Sequence, residues 1–196
     1  MIRAGSPLDA GRAAELHAHG ITEGFLSRLG PGFLRRLYRC IARDERSFLF
    51  IAEDDSHHVV GMIAGSENVG QLYRRFLRRD GLIAGIVAAP RLVRHIGSVL
   101  ETLRYGGADD ATLPTAELLS VAVDDDARGQ GVGRALVDAL GKEFEHRGLQ
   151  TVKVVVGATN ESAVRLYRSC GYVDAATIEV HRNVPSKVLV WSSSAR

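Results

Sequence analysis

Cysteine is scarce in this chain, which has only Cys40 and Cys170 among its 196 residues. The two lie far apart and form no C-x-x-C pair, so the sequence does not predict a zinc site. A chain without a cysteine framework fits a reducing compartment, and we therefore expect a cytoplasmic protein.

Long apolar runs are missing as well. No stretch approaches the roughly 20 consecutive apolar residues that a membrane-spanning helix requires, and the N-terminus has no apolar core of the kind found in signal peptides. The net charge is only +2, whereas general nucleic-acid binders carry a large basic excess, so we expect no nucleic-acid partner. The hydrophobic content of 45% is enough for a full core, and the length favours one domain over residues 1–196.

Two pairs of histidines have metal-like spacing, His17 with His19 and His57 with His58. No cysteine or carboxylate stands at the fixed offsets that a metal site would need. We interpret all four as solvated surface residues and predict no metal cofactor.

The N-terminal part shows helical and then extended patterns. Asp9 is expected to cap a helix that ends at Gly20. Apolar residues recur at helical spacing from Phe33 to Ile41, after a Gly-Pro-Gly breaker. The other face of this second helix carries four arginines, which form either a solvated surface or one that attracts an acidic substrate. Two apolar runs, 47–53 and 59–65, are predicted to form a β-hairpin.

About forty residues, 70–113, separate this hairpin from the next predicted strand. Residues 71–79 and 91–104 have amphipathic helical patterns, and an apolar run at 82–89 ends at Pro90. The apolar faces of these helices must be buried against another surface. Four roles stay open: part of the core or a substrate wall, a lid, a contact with a second copy of the chain in a homodimer, and a membrane surface. We favour the first and place the membrane last.

The most informative stretch is 117–135, where an apolar strand runs into a glycine-rich corner and then a helix. From Val132 onward, apolar residues recur at helical spacing. A strand that turns through glycines into a helix N-terminus exposes unpaired N–H groups at the positive end of the helix dipole. The corner is therefore predicted to bind a phosphate. Arg128 and Arg134 add positive charge beside it.

Three phosphate-binding motifs compete for this corner. A P-loop ends in Gly-Lys-Ser/Thr, where this chain has Gly133-Arg134-Ala135. The dinucleotide motif G-x-G-x-x-G needs a glycine at 134 and an acidic residue about 20 residues further on, where Lys153 stands. The third motif, Arg/Gln-x-x-Gly-x-Gly/Ala after a strand, fits from Arg128 to Gly133. In this motif the chain resembles the Gcn5-related N-acetyltransferase (GNAT) family, whose loop wraps the pyrophosphate of acetyl-coenzyme A. A glycine-rich connection without a ligand is the alternative.

A second motif begins one strand later. The pattern in the same family is Asn-x-x-Ala-x-x-Leu-Tyr followed by a Gly-aromatic pair. Its counterparts here are Asn160, Ala163, Leu166, Tyr167, Gly171 and Tyr172. The resemblance covers roughly residues 115–192, with weaker agreement over 1–68. A minimal member of the family has no counterpart of residues 70–113, which we therefore expect to be a helical insertion before the central strand.

The resemblance implies an acyl-CoA N-acyltransferase fold, which is an α/β domain with a mixed, twisted sheet of about six or seven strands and helices on both faces. It also implies acetyl-coenzyme A (acetyl-CoA) as cosubstrate and an amine as acceptor. The cofactor-binding residues carried over are Val121 and Val123 through their main chain, Arg128, Gly129, Gln130, Gly131, Val132, Gly133, Arg134, Ala135, Asn160 and Tyr167. Asn160 is expected to bind the pantetheine arm, to cap its helix, or to do both.

The chemistry of acetyl transfer assigns roles to two further groups. An amine with a pKa of about 10.4 is mostly protonated at neutral pH, and a carboxylate can take its proton, directly or through a water. A backbone N–H can stabilise the tetrahedral intermediate. The departing thiolate, with a pKa of about 8.5, gains from a nearby acid. In the family a tyrosine at the position of Tyr167 lies beside the sulphur, so we expect Tyr167 to be the acid. Helical spacing alone would make it a packed core residue.

Glu117 is the first candidate for the base. It lies at the start of the central strand, where some members of the family carry a catalytic glutamate, although an ordinary carboxylate at a strand edge is the alternative. Glu67, near the end of the hairpin, is the second candidate. Asp124, Asp125 and Asp126 are interpreted as solvated loop residues, since three consecutive carboxylates cannot all face one ion.

The sequence therefore predicts an N-acetyltransferase that moves an acetyl group from acetyl-CoA to a primary amine by direct attack in a ternary complex. A small amine or an amino sugar is favoured as acceptor, because the insertion suits a substrate wall. A protein N-terminus or a lysine stays open as acceptor, and a non-catalytic acetyl-CoA sensor is the remaining alternative.

Overall fold

The computed structural model describes residues 1–21, 25–79, 113–181 and 184–193. The patterns predicted within 80–112, and with them most of the expected insertion, lie outside the described residues. None of the helices in the described segments is long and apolar enough to cross a membrane.

Seven strands form one sheet in the described segments. They are β1 (Ile2–Ala4), β2 (Ser47–Glu53), β3 (Val59–Ser66), β4 (Glu117–Val123), β5 (Thr151–Gly157), β6 (Val173–His181) and β7 (Val184–Ser192). Their order is β1-β2-β3-β4-β5-β7-β6. Neighbours are antiparallel except β4 and β5, which are parallel. The predicted mixed sheet of six or seven strands is confirmed.

Helices lie on both faces of this sheet. They are α1 (Ala10–Gly20), α2 (Phe25–Arg28), α3 (Pro31–Ile41), α4 (residues 69–79, at the edge of a described segment), α5 (Val132–His146) and α6 (Glu161–Ser169). Pro31 begins α3 because its fixed φ and missing N–H suit the first helical position.

Two buried clusters hold the helices to the sheet. On one face α5 and α6 pack on the strands, and the Phe48 and Phe144 rings meet edge to face with centroids 5.4 Å apart. On the other face α1, α3 and α4 pack on the strands, and Phe33 meets Phe76 in the same way at 5.3 Å. The segment 71–79, predicted to be helical, lies within α4 and contributes to the second cluster.

Strand β4 contains a bulge at Leu119. Ala64 of β3 pairs with Ser120, whereas the next residue, Gly65, pairs with Leu118. The extra residue shifts the alternation of side chains. Leu118 therefore packs in the cluster under α5, while Ala122 and Leu119 pack in the cluster under α1 and α3.

Strands β4 and β5 separate soon after they meet. Their registered pairs are Glu117 with Lys153 and Leu118 with Val154. Beyond Leu118 an opening lies between the two strands. On the far side of β4, the Asp124 N–H donates to the Val60 carbonyl of β3 at 2.8 Å. Because N–H groups alternate in direction along a strand, those of Val121 and Val123 face the opening.

The opening also changes the environment of β5. The near-continuous apolar sequence of this strand predicts burial on both faces, and this is wrong. Val152, Val154 and Val156 are buried, whereas Lys153 and Val155 on the other face are half-buried. The departure of β4 leaves that second face beside a cavity, which Val155 lines.

The last strand begins earlier than expected. The sequence predicts a turn at Pro185-Ser186, and this is wrong, because Ser186 pairs with Gly157 of β5 and with Ile178 of β6. Proline has no N–H for a ladder but is tolerated near the first residue of a strand. The Pro185 carbonyl still accepts a hydrogen bond from the Ala158 N–H at 3.0 Å. The sequence also predicts that the last two strands form a closing hairpin, and the antiparallel pairing of β6 and β7 confirms this.

Asp9 holds three elements together. It occupies the N-cap position of α1, but its side chain makes no cap hydrogen bond. Instead the carboxylate accepts two hydrogen bonds from the Arg3 guanidinium, at 2.9 and 2.8 Å, and one from the Ser6 N–H at 2.7 Å. Arg3 also donates to Glu53 at 2.7 Å. The network joins β1, α1 and β2.

Replacing Asp9 by Asn should lower the free energy of unfolding at pH 7 by about 1–3 kcal/mol, because it weakens charge-assisted hydrogen bonds. The hydrogen bonds from Arg3 hold the pKa of Asp9 well below its usual range. The wild-type advantage is therefore present above about pH 4 and is lost as the pH falls through the folded-state pKa. Urea unfolding between pH 2 and pH 7 measures it.

The exposed Asp55→Asn variant, in the turn between β2 and β3, is the matched control and should change stability by less than about 0.5 kcal/mol. An Asp9→Asn effect that is independent of pH would contradict the network's role.

Candidate functional site

A cavity of about 1070 Å³ lies where β4 and β5 diverge. One side is formed by β4, β5, the glycine corner and the start of α6. The predicted site residues that line it are Glu117, Val121, Val123, Arg128, Gly129, Gly131, Val132, Gly133, Arg134, Asn160 and Tyr167. The other side, which we call the helical wall, consists of His17, Gly20, Ile21, Leu26, Leu37, Tyr38, Ile41, Val69, Leu72 and Tyr73.

The glycine corner leaves main-chain N–H groups available for an anion. Gly129 and Gly131 have φ values of 77° and 81°, a left-handed conformation that glycine adopts without strain. The first helical hydrogen bond of α5 joins the Ala135 N–H to the Gly131 carbonyl at 3.0 Å. The N–H groups of the residues between them have no partner within the helix. No side chain caps this end, and its first turn has no acidic residue.

Side chains around the corner fix its shape. Arg128 donates to the Val123 carbonyl at 3.3 Å and pairs with Asp125 at 3.0 Å. Gln130 donates to the Asp126 carbonyl at 2.9 Å. Of the predicted cofactor-binding residues, Gln130 and Ala135 do not line the cavity. The Gln130 side chain is turned back onto the loop that precedes the corner.

Glu117 forms one of the two registered pairs of β4 and β5, with Lys153 as its partner. Its side chain is 14% exposed, and its Oε2 lies 3.8 Å from the Lys153 ammonium nitrogen. Burial raises the pKa of Glu117 to about 7, and the positive charge of Lys153 opposes that rise. The carboxyl group therefore exchanges its proton near neutral pH, which is the property that a general base requires.

Tyr167 and Asn160 both belong to the second motif. Burial raises the pKa of Tyr167, so that its phenol stays protonated at neutral pH. The Tyr167 ring lies against that of Tyr172, with centroids 5.7 Å apart. Asn160 caps α6, because its Oδ1 accepts a hydrogen bond from the Ala163 N–H at 3.1 Å. The capping part of the Asn160 prediction is confirmed.

Two other acidic residues of the sequence analysis, Glu67 and Asp124, lie outside the cavity, whereas Glu161 at the start of α6 lines it. Glu67, the second candidate for the base, pairs with Arg147 at 3.1 Å and does not line the cavity. Asp124 pairs with Arg12. Over the described segments, no group of three or more histidine, cysteine, aspartate or glutamate side chains is arranged to hold a metal ion.

Sequence reasoning missed the polar residues of the helical wall. His17 was expected at the surface, and this is wrong, because its side chain is only 3% exposed. The signal was in its spacing: His17 follows the buried Ala10, Ala13 and Ala14 on one helical face. Tyr38 fell within the predicted apolar face of α3, but nothing in that pattern showed that its hydroxyl reaches the cavity.

A family model described as the acetyltransferase (GNAT) family matches residues 19–172 of this chain. The match includes most of the elements around the cavity. It begins at the C-terminal end of α1 and ends at the glycine-aromatic pair after α6.

Curated relatives match shorter stretches. The [ribosomal protein bS18]-alanine N-acetyltransferase of Escherichia coli (strain K12) is 44% identical over 63 residues, which cover 32% of this chain and 43% of that protein. The mycothiol acetyltransferase of Cellulomonas flavigena is 39% identical over 97 residues, which cover 47% of this chain and 28% of that protein. The chain thus spans less than half the length of these relatives.

The fold is similar to that of a solved spermidine N-acetyltransferase, a chimera from Vibrio cholerae and hSSAT. The TM-score is 0.62 at 17% identity, over 99% of this chain and 95% of that one. At this identity the likeness concerns the fold alone. The family model, in contrast, matches more than half of the sequence, including both motifs that meet at the cavity. The chain therefore belongs to the GNAT family of acetyltransferases.

Proposed function

We propose that this protein transfers the acetyl group of acetyl-CoA to a primary amine, by direct attack of the amine in a ternary complex. One observation carries the proposal. An anion-binding corner, an open strand edge and a buried carboxylate with a pKa near neutrality line the same cavity.

The coenzyme has a complementary surface at each of its parts. The pyrophosphate suits the N–H groups at the start of α5, with Arg128 and Arg134 close by. The pantetheine amides suit the edge of β4, where the N–H groups of Val121 and Val123 have no partner on β5. Asn160 uses its Oδ1 for the helix cap, which leaves its amide nitrogen for the pantetheine arm.

The reaction then needs a base and an acid in fixed places. Glu117, as carboxylate, removes a proton from the ammonium group of the acceptor, directly or through a water. The neutral amine forms a C–N bond to the thioester carbonyl, and a main-chain N–H of β4 stabilises the oxyanion. When the C–S bond breaks, the Tyr167 phenol donates its proton to the leaving thiolate. The new amide nitrogen loses its surplus proton to solvent, and Tyr167 and Glu117 return to their starting protonation states by proton exchange with solvent.

The beginning of the insertion supports its role as a substrate wall. Val69, Leu72 and Tyr73 of α4 line the cavity, and Leu72 is fully buried against the second cluster. A wall on this side of the cavity favours a small amine or an amino sugar as acceptor. The name of one relative gives an alanine of a ribosomal protein as its acceptor. A protein N-terminus or a lysine therefore stays the second candidate acceptor for the present chain.

A negative charge at Gly133 should weaken the binding of acetyl-CoA by at least about tenfold, because it faces the coenzyme's phosphates. A Cβ at this position would lie 3.5 Å from the Leu166 side chain and 3.7 Å from Val123, which is ordinary contact. The Gly133→Glu variant should therefore fold. Isothermal titration with acetyl-CoA measures the change.

Gly141→Glu is the matched control. It adds the same charge to the same helix, at a position where an added Cβ would have no atom within 4 Å and which lies outside the cavity. This variant should bind acetyl-CoA like the wild type. If Gly133→Glu and Gly141→Glu bound acetyl-CoA with equal affinity, the proposed phosphate site would be wrong, and so would the proposed activity.

The pH dependence of kcat/KM should report on Glu117. Activity requires the carboxylate, so the rate should rise with pH through about 7 and then level off. Replacing Lys153 by Met removes the charge that holds the pKa of Glu117 down, and the rising limb should move to higher pH. Replacing Glu117 by Gln should lower kcat by about 10²–10⁴-fold and abolish that limb.

Lys142→Met, on the exposed side of α5, is the control for the loss of a lysine and should leave the profile in place. If Glu117→Gln retains the wild-type profile, another group is the base.

A further inference from the structure

The Glu117 side chain leaves β4 on the face of the sheet that carries the helical wall. Leu118, the next residue, packs under α5 on the opposite face, and successive side chains of a strand point to opposite faces. In the register of the sheet, Glu117 pairs with Ser66, the last residue of β3. The proposed base therefore lies where β3 ends and the chain continues into α4.

Helix α4 begins directly after that pair and is held by several contacts. The Asn68 side chain accepts a hydrogen bond from an N–H of the first turn at 2.9 Å and so caps the helix. Leu72 is fully buried in the cluster on this face of the sheet. Arg75 pairs with Asp44, which follows α3, at 3.0 Å. These contacts fix the position of Tyr73 in the helical wall.

The Tyr73 hydroxyl is open to a water molecule. Tyr73 is half-buried and lines the cavity together with Glu117. Among the described residues, the fully buried side-chain polar atoms without a hydrogen-bond partner are His17 Nε2 and two nitrogens of Arg75. The Tyr73 hydroxyl forms no hydrogen bond to a described residue either, and it is not one of these inaccessible atoms. It can therefore donate a hydrogen bond to a water.

An electrostatic effect connects Tyr73 to Glu117. Burial raises the pKa of Tyr73, and the negative charge of Glu117 raises it further, so the phenol keeps its proton at neutral pH. Such effects weaken with distance, and the two side chains are therefore close, although no direct hydrogen bond joins them. A single water molecule is the usual bridge between two polar groups that face each other without touching.

The other charged groups near Glu117 come from β5 and α6. The Lys153 ammonium nitrogen of β5 lies 3.8 Å from Glu117 Oε2 and opposes the rise of its pKa. Glu161 of α6 also lines the cavity, but it is exposed and pairs with Arg165 at 3.1 Å. Tyr73 approaches Glu117 from α4, on the side of the helical wall.

We propose that Tyr73 is a positioning residue for acetyl transfer, because its hydroxyl donates a hydrogen bond to a water molecule that is also bonded to the Glu117 carboxylate. This water accepts a proton from the ammonium group of the acceptor and gives one of its own protons to Glu117. The amine becomes neutral, the water is restored, and Tyr73 keeps its proton. Three hydrogen bonds are the usual number for a bound water. The inference rests on the proposed function and decides between its two proton routes, direct and through a water.

Replacing Tyr73 by Phe should raise the pKa of Glu117 by about 0.5–1, because a hydrogen bond to the carboxylate favours the charged form. Carbon-13 NMR of protein labelled at the glutamate carboxyl groups measures this pKa, and Glu117→Gln identifies the signal. The lost hydroxyl has no protein partner among the described residues, so the variant should unfold at the same urea concentration as the wild type. Tyr172→Phe is the matched control. It removes the hydroxyl of a buried tyrosine outside the cavity and should leave the pKa of Glu117 unchanged.

Kinetics then test the proton relay. The acceptors are phenethylamine, glucosamine and a peptide with an N-terminal alanine and an internal lysine, and release of the coenzyme A thiol measures kcat and KM. For each acceptor that is turned over, Tyr73→Phe should lower kcat by about tenfold with little change in KM. The rising limb of kcat/KM should move to higher pH together with the pKa of Glu117. A tyrosine that serves only as substrate wall would change KM and leave both the limb and the pKa in place.

An unchanged pKa of Glu117 in Tyr73→Phe overturns the inference. A raised pKa with an unchanged kcat overturns it as well, because the hydrogen bond would then exist without a relay. If no acceptor of the panel is turned over, the titration decides alone, since it requires neither coenzyme nor acceptor. Binding of acetyl-CoA and the pH profile of Glu117→Gln, measured separately, show whether the proposed function stands.

Discussion

The site depends on the separation of β4 from β5. Two registered pairs hold these strands together, and beyond Leu118 the edge of β4 has no strand partner on that side among the residues that the structure describes. An unpaired edge inside a protein leaves main-chain groups that need a hydrogen-bond partner. The opening therefore presents unpaired main-chain groups of β4. An extended molecule with amide groups can form the hydrogen bonds that a neighbouring strand would otherwise form. The glycine corner lies at the end of this edge, where the N–H groups of α5 continue the row of donors.

Burial changes the pKa of two ionisable side chains that line the cavity. Glu117 and His17 are both in apolar surroundings, and each shifts its pKa in the direction that removes its charge. They differ in what opposes the shift. Lys153 stands beside Glu117 and keeps its proton exchangeable near neutral pH, whereas no described cation or carboxylate holds His17 in a charged form. Glu117 can therefore exchange a proton near neutral pH, whereas the His17 imidazole stays neutral.

The sequence predicts what local interactions determine. Residues close together in sequence determine three features that were predicted. These are the helix that begins at Val132, the Asn160 cap and the hairpin of β2 and β3. The turn expected at Pro185 and the double-sided burial of β5 were wrong because both depend on strands far away in sequence. The same holds for the bulge at Leu119, which exists only in the register with β3. The expected exposure of His17 is wrong because its helical spacing with three buried alanines, and not its spacing from His19, determines its burial.

The short pairing between β4 and β5 is also a weak point in the backbone hydrogen bonding of the sheet. Strands β1 to β4 lie on one side of this junction and β5 to β7 on the other, and two registered residue pairs join the two parts of the sheet. A molecule that binds the facing edges of both β4 and β5 would form a second connection between the two parts of the sheet. Such a ligand would bind the folded state and not the unfolded one, so its binding would increase the resistance of the fold to heat and proteases.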